Sequence, residues 1–198
     1  MPHLEIEKSL AGIICGIDEA GRGPWAGPVV AAAVILGEQV PTGIDDSKKL
    51  KPQKREEIYQ KIIETCRYGI GQASVEEIDS LNILQATKLA MLRAYEALNT
   101  ACDHALIDGN QLPHLPCKMQ YVIKGDSVSY SIAAASIIAK VTRDRILQEL
   151  HAEFPHYNWA GNKGYGTADH IQGIEKHGIS IHHRRSYAPI RARLETAV

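Results

Sequence analysis

The stretch that decides the fold is Ile13-Ile14-Cys15-Gly16-Ile17, followed by Asp18-Glu19, by Gly21-Arg22-Gly23-Pro24, and by the apolar run from Val29 to Leu36. Both apolar runs are short, rich in β-branched residues and uninterrupted by charge, as strands buried on two faces are. The Gly/Pro loop between them is too short for a parallel crossover, so the runs are predicted to pair as an antiparallel hairpin or its near relative. Asp18 and Glu19 then end a buried strand, where a carboxylate loses water unless a cation or hydrogen bonds replace it. Asp108 and Asp126 follow short apolar runs in the same way.

Outward from this hairpin, Pro52 to Cys66 reads as a helix, with Pro52 suited to its first turn and Ile58, Ile62 and Ile63 on one face. Arg67 to Ala73 reads as a third strand and Asn82 to Leu98 as a helix. His104 to Ile107 and Tyr121 to Ile123 are predicted strands four and five, followed by helices from Ser131 to Leu150 and from Ala168 to Lys176. This order gives an α/β fold, a mixed sheet with helices on both faces. Ligands in such sheets collect beyond the carboxyl ends of strands, where Asp18, Asp108 and Asp126 are expected.

With 198 residues, 44% of them apolar, the chain is long enough for a hydrophobic core of its own, and with no repeat, low-complexity tract or long linker it reads as a single domain over residues 1–198. Its core spans about 13–193, with a C-terminal helical part from about 151. Four cysteines without metal-type spacing, and no signal-peptide pattern ahead of the first apolar run, point to a reduced, cytoplasmic protein. The longest apolar stretch is too short to span a membrane. A net charge of −1 neither favours nor excludes a nucleic-acid partner, but positive charge clusters at Lys48, Lys49, Lys51, Lys54 and Arg55, and again at His182-His183-Arg184-Arg185 with Arg191 and Arg193. Each cluster by itself fits an ordinary solvated face.

Taken singly, the acids have simpler explanations. Asp18-Glu19 could begin a turn, Asp108-Gly109 is an ordinary turn pair, and Asp126 could favour the positive end of the helix that follows. Consecutive residues of a strand point to opposite sides, so Asp18 and Glu19 share a centre only if the strand bends or Glu19 works at its edge. Gathered together, carboxylates suit magnesium or manganese and not zinc, and paired ions of that kind serve phosphodiester chemistry. Gly21-Arg22-Gly23 fails as a dinucleotide fingerprint because it opens a strand, not a helix; its glycines allow close backbone approach and Arg22 offers a phosphate fork. His170, His177, His182 and His183 form no ligand pattern with cysteine and read as exposed or basic-patch residues. Tyr165, between glycines in Lys163-Gly164-Tyr165-Gly166-Thr167, suits either stacking on a nucleic acid or loop packing.

The ordered motifs Gly16-Ile17-Asp18-Glu19-Ala20-Gly21-Arg22-Gly23-Pro24, Asp46-Ser47-Lys48-Lys49-Leu50, Leu106-Ile107-Asp108-Gly109-Asn110, Lys124-Gly125-Asp126-Ser127, Ala134 to Asp144 and Lys163-Gly164-Tyr165 resemble those of bacterial ribonuclease HII, the type 2 ribonucleases H, from about Ile13 to Arg193. The resemblance implies a ribonuclease H-like fold with a five-stranded mixed sheet flanked by helices. It implies four metal-binding acids at Asp18, Glu19, Asp108 and Asp126, holding Mn2+ or Mg2+. In this likeness Asp18, Glu19 and Asp108 hold the nucleophile-activating ion and Asp126 helps at a second. Gly21, Arg22, Gly23 and Tyr165 would read the 2′-hydroxyl of a ribonucleotide and the neighbouring DNA sugar. Lys48, Lys49 and Arg184 or Arg185 would contact backbone phosphates.

The implied activity is two-metal-ion hydrolysis of the RNA strand of RNA–DNA hybrids, and cutting 5′ of ribonucleotides embedded in duplex DNA, leaving 3′-hydroxyl and 5′-phosphate ends. The expected partners are those nucleic acids, with no membrane and a monomeric chain. Two departures from the pattern, Tyr187 where Phe is frequent and Lys51 where Ser is, lie away from the implied chemistry. Two other readings are a two-metal exonuclease, which would leave the Gly-Arg-Gly and Lys-Gly-Tyr elements without purpose, and a hybrid-binding module with a decayed site, which would be expected to lack an acid.

Overall fold

A computed structural model describes residues 1–195. In chain order the elements are α1 (Glu5–Lys8), β1 (Ile14–Ala20), β2 (Val29–Ile35), α2 (Pro52–Thr65), β3 (Arg67–Ala73), α3 (Val75–Leu81), α4 (Ile83–Ala97), β4 (His104–Asp108), β5 (Lys118–Val122), α5 (Tyr130–Glu153), α6 (Trp159–Asn162), α7 (Ala168–His177) and α8 (Ala188–Glu195). The sheet order is β3-β2-β1-β4-β5. β1, β2 and β3 pair antiparallel, with Asp18 opposite Ala32, whereas β1 pairs β4 and β4 pairs β5 in parallel. This is the mixed five-stranded sheet flanked by helices that the sequence predicts.

Alternation along the central strands divides the core into two layers. Cys15, Ile17, Val29, Ala31 and Ala33 pack with α4, whereas Ala32 and Val34 face α2 and α5. Small residues set these layers close. A Cβ on Gly16 of β1 would lie 2.2 Å from the backbone carbon of Ser131 in α5, and one on Gly69 of β3 would lie 2.2 Å from the Ala94 carbonyl oxygen in α4. The contact at Gly16 seats the first turns of α5 on β1, two residues before Asp18.

Three local differences from the sequence reading have clear causes. β5 covers Lys118–Val122, not Tyr121 to Ile123, because its pairing with β4 starts at Lys118 and a largely exposed edge strand carries little apolar signal. The unforeseen α3 is marked by a capping box, in which Ser74 accepts the Glu77 N–H and Glu77 accepts the Ser74 N–H. Asp18 does not follow the end of β1 but lies inside it, since pairing continues through Ala20↔Val30. Among the described residues no helix is long and apolar enough to cross a membrane.

Candidate active site

Each candidate acid is placed by a different piece of the sheet end. Asp18, only 3% exposed, accepts the backbone N–H of Glu19 through Oδ1 at 2.7 Å. Glu19 stays within the ladder opposite Ala31, next to the last residue of β1, with its Oε1 3.4 Å from Arg22 Nη1. Asp108, the last residue of β4, accepts the Gly125 N–H at 2.6 Å, which ties it to the turn Gly125–Ser127 carrying buried Asp126. Lys48 Nζ lies 3.5 Å from Asp126 Oδ2, and Lys49 donates to Ser127 Oγ at 3.2 Å. A cleft of about 280 Å³ brings Glu19, the Gly21-Arg22-Gly23 loop, Lys48 and Tyr165 to one opening.

The electrostatics of this site oppose the negative charge of three of its acids, Asp18, Glu19 and Asp108. Burial is the main cause that raises the Asp18 carboxyl well above the ordinary range, with the charges of Glu19 and Asp108 adding to it. Glu19 is raised by burial and Asp108, against the pull of Arg22. Asp108 is raised by burial and by Asp126, against its bond from Gly125. For Lys48, burial pulls the ammonium down, but Asp126, Asp18 and Asp46 outweigh it and leave it raised. Among the described residues no three or more His, Cys, Asp or Glu side chains are gathered tightly enough to hold a metal ion. Arg22 and Lys48 supply the positive charge beside Glu19 and Asp126. The donor set still fits a hard divalent cation, being all oxygen and partly buried, and such an ion would neutralise the like charges that Asp18, Glu19 and Asp108 impose on one another.

The loops that flank the acids are held by buried arginines, two of which the sequence reading placed in basic surface clusters. Arg184, with no exposed surface, donates to the carbonyls of Gly21 (2.6 Å), Gly27 (2.9 Å), Arg22 (3.0 Å) and Pro28 (3.1 Å), and to Tyr187 Oη. It braces the Gly-Arg-Gly loop, and with no exposed surface and every N–H engaged it has no donor left for the backbone phosphate contact expected of it. Exposed Arg185 remains available; its backbone N–H is bound by Asp79. Arg55, grouped in sequence with the first basic cluster, is also buried, donating to the Ser47 and Leu50 carbonyls to hold the segment that carries Lys48.

His170 and His183 likewise depart from the exposed reading, since both are buried beside Trp159. Ser180 N–H donates to His183 Nδ1 and Trp159 Nε1–H donates to His170 Nε2. Both rings are then neutral, with His170 Nδ1–H donating to the Tyr165 carbonyl at 2.8 Å and the two Nε2 atoms 3.1 Å apart. Burial pushes His183 down to about 3, with His170 adding to the effect. The cleft also contains Ser47, Ser136, Lys140 and Arg143, which the sequence reading did not select as site residues. Ser47 and Ser136 hydroxyls lie 2.8 Å apart, and Lys140 is paired with Asp144 at 2.7 Å. Their only signal in sequence was membership of the motif segments around Asp46 and Ala134.

The sequence profile described as Ribonuclease HII matches residues 15–189. The chain belongs to the ribonuclease HII family. Ribonuclease HII of Wolbachia pipientis subsp. Culex pipiens is 56% identical over 96% of this chain and 98% of its own length, and that of Paramagnetospirillum magneticum 53% identical over 96% and 97%. The ribonuclease H2 of Pyrococcus horikoshii superposes with a TM-score of 0.78 at 25% identity, covering 93% of this chain and 98% of that one. As a member of the ribonuclease HII family the chain is an enzyme, an endoribonuclease of the ribonuclease H class.

Proposed function

We propose that this chain hydrolyses the RNA strand of RNA–DNA hybrids and cuts on the 5′ side of a ribonucleotide embedded in duplex DNA, leaving 3′-hydroxyl and 5′-phosphate ends. The observation that carries this reading is the single cleft in which Glu19, the Gly-Arg-Gly backbone and the exposed Tyr165 ring meet. A carboxylate centre alone suits many phosphodiesterases. One placed beside backbone and an aromatic able to grip a sugar suits an enzyme that tells ribose from deoxyribose.

Asp18, Glu19, Asp108 and Asp126 would hold Mg2+ or Mn2+, and bound ions of this kind activate water and stabilise the leaving oxygen of an in-line phosphoryl displacement. Within the protein, Asp18 provides a buried carboxylate and Asp108 a half-buried one, oriented by the Glu19 and Gly125 N–H groups. Arg22, its side chain 48% exposed, extends a guanidinium fork for a phosphate, and Lys48, Lys49 and Arg185 supply further positive charge to the backbone. Tyr165 offers its ring to the DNA sugar beside the ribonucleotide, and Gly23, whose missing Cβ lies 3.3 Å from Tyr165 Cε1, leaves the loop backbone opposite that ring free of a side chain that would block the 2′-hydroxyl. A monomer in the cytoplasm, folded as one catalytic unit, completes the reading.

The test is cleavage of an end-labelled DNA duplex carrying one ribonucleotide, with Mg2+, with Mn2+ and with chelator. A cut just 5′ of the ribonucleotide, dependent on metal and leaving a 3′-hydroxyl, is expected. A folded sample that binds this duplex but cuts neither it nor an RNA–DNA hybrid with either ion would overturn the reading.

A further inference from the structure

Under the function proposed above, the loop of Gly21 to Pro28 and the loop of Lys163 to Thr167 must keep a fixed gap if they are to read one sugar between them. They lie almost backbone to backbone. The Trp25 N–H donates to the Gly164 carbonyl at 2.7 Å, a Cβ on Gly164 would lie 2.7 Å from the Ala26 oxygen, and one on Gly166 would lie 2.1 Å from the Trp25 ring. One side chain bonds both loops. Arg143 of α5, 2% exposed, donates through Nε to the Pro28 carbonyl (3.1 Å), through Nη2 to that of Ala26 (3.1 Å) and through Nη1 to that of Lys163 (3.0 Å).

The glycines divide along the same line. Gly21, at φ +100°, has its missing Cβ 2.0 Å from Arg143 Nε, so it is glycine because the guanidinium lies against it. Gly23 has its missing Cβ 3.3 Å from Tyr165 Cε1. Arg184 bonds carbonyls of the first loop only.

We propose that Arg143 is a positioning residue for sugar discrimination: by bonding the Ala26, Pro28 and Lys163 carbonyls at once it sets the gap between Gly23 and the Tyr165 ring. A planar guanidinium presents several donors in fixed directions. A lysine ammonium is one compact point and cannot serve the same three carbonyls.

Amide hydrogen exchange of the substrate-free chain tests the clamp without any activity. Arg143→Lys should speed exchange in residues 21–28 and 163–167 together while the β1–β2 ladder stays protected, whereas Arg184→Lys should loosen 21–28 alone. Should Arg143→Lys fail to fold, Gly164→Ala pushes the same two loops apart at the Ala26 carbonyl and must reproduce the joint change. The kinetic arm compares a duplex carrying one ribonucleotide with a full RNA–DNA hybrid. Arg143→Lys should lower the ratio of the two rates about tenfold, and change it little in a Tyr165→Ala background, because the effect runs through that ring.

Exchange rising in one loop only, equal loss on both substrates, or an undiminished effect without the Tyr165 ring would each overturn the assignment. If the wild type cuts neither substrate, the proposed function falls, and the exchange experiment still decides whether Arg143 couples the loops.

Discussion

Gly16→Ala is expected to damage stability and catalysis together, and the structure supplies the size of both effects. The new methyl would start 2.2 Å from the Ser131 backbone carbon and 2.3 Å from the Ile132 nitrogen. Ordinary contact begins near about 3.4 Å, so α5 and β1 must separate by about 1 Å, and neither neighbour is a flexible side chain that can turn aside. Overpacking of this kind costs about 1–3 kcal/mol, and a clash with backbone belongs at the upper end. For a chain of this length that lowers the melting temperature by roughly 5–10 °C.

α5 also carries Ser136, Lys140 and Arg143 to the cleft, while β1 carries Glu19 to it and Asp18 beside it in sequence. A misplacement of about 1 Å between them should cost on the order of a hundredfold in rate. The control is Gly69→Ala, which makes an equally close clash, 2.2 Å from the Ala94 oxygen, on the α4 face of edge strand β3. Urea denaturation and single-turnover cleavage of both variants, well below their melting temperatures, separate the effects. Both should lose comparable stability, and only Gly16→Ala should lose most of its rate. Equal rate losses, or a Gly16→Ala enzyme within twofold of wild type, would refute the reasoning.

Asp18→Asn is expected to abolish cleavage with the fold intact, and in chelator to melt above the wild type, because it removes a charge disfavoured by burial and by Glu19 and Asp108. Calorimetry and a cleavage assay check this, and wild-type turnover by the variant would remove the metal-site argument. Tyr165→Ala should reduce discrimination for the RNA–DNA junction about tenfold, the scale of one lost stacking contact, while general hybrid binding falls less. Equal losses by both measures would leave the ring as loop packing. His183 gives a pH signature: the unfolded chain takes up its proton below about 6.5, the folded chain near 3. Between those values the unfolded state binds more protons, so this group's contribution is complete above about pH 6.5 and falls by up to a few kcal/mol on acidification. Urea midpoints from pH 7 to pH 4.5 should fall more steeply for the wild type than for His183→Gln, and identical slopes would contradict the neutral histidine pair.

The parts of the fold that could be read from sequence are those whose environment is uniform along the chain. β1 and β2 are buried on both faces and α5 runs between sheet and helix, so each leaves an unbroken apolar or alanine-rich record. β5 left almost none, because an edge strand meets solvent and its residues are free to be polar. The four candidate acids stood out for a related reason, since ionisable residues at the ends of apolar runs conflict with their surroundings, and such a conflict is what nominates a residue for a site.

By itself the sequence determined the chemical inventory: carboxylates of the type that suits hard cations, glycines beside an arginine, and a tyrosine between glycines, in an order that matches one family. Only the tertiary structure decided which charges are spent inside. Arg184 and Arg185 are neighbours in sequence, yet one is buried under four carbonyls and the other faces solvent. His170 and His183 pair only because separate segments bring their rings together, and Arg143 acquires its place because α5 passes beneath two loops at once. Local sequence records what a residue can donate or accept. Where its partners lie is set by other segments, 13 residues away for His170 and His183 and 157 for Arg184 and Gly27, and no local pattern encodes that placement.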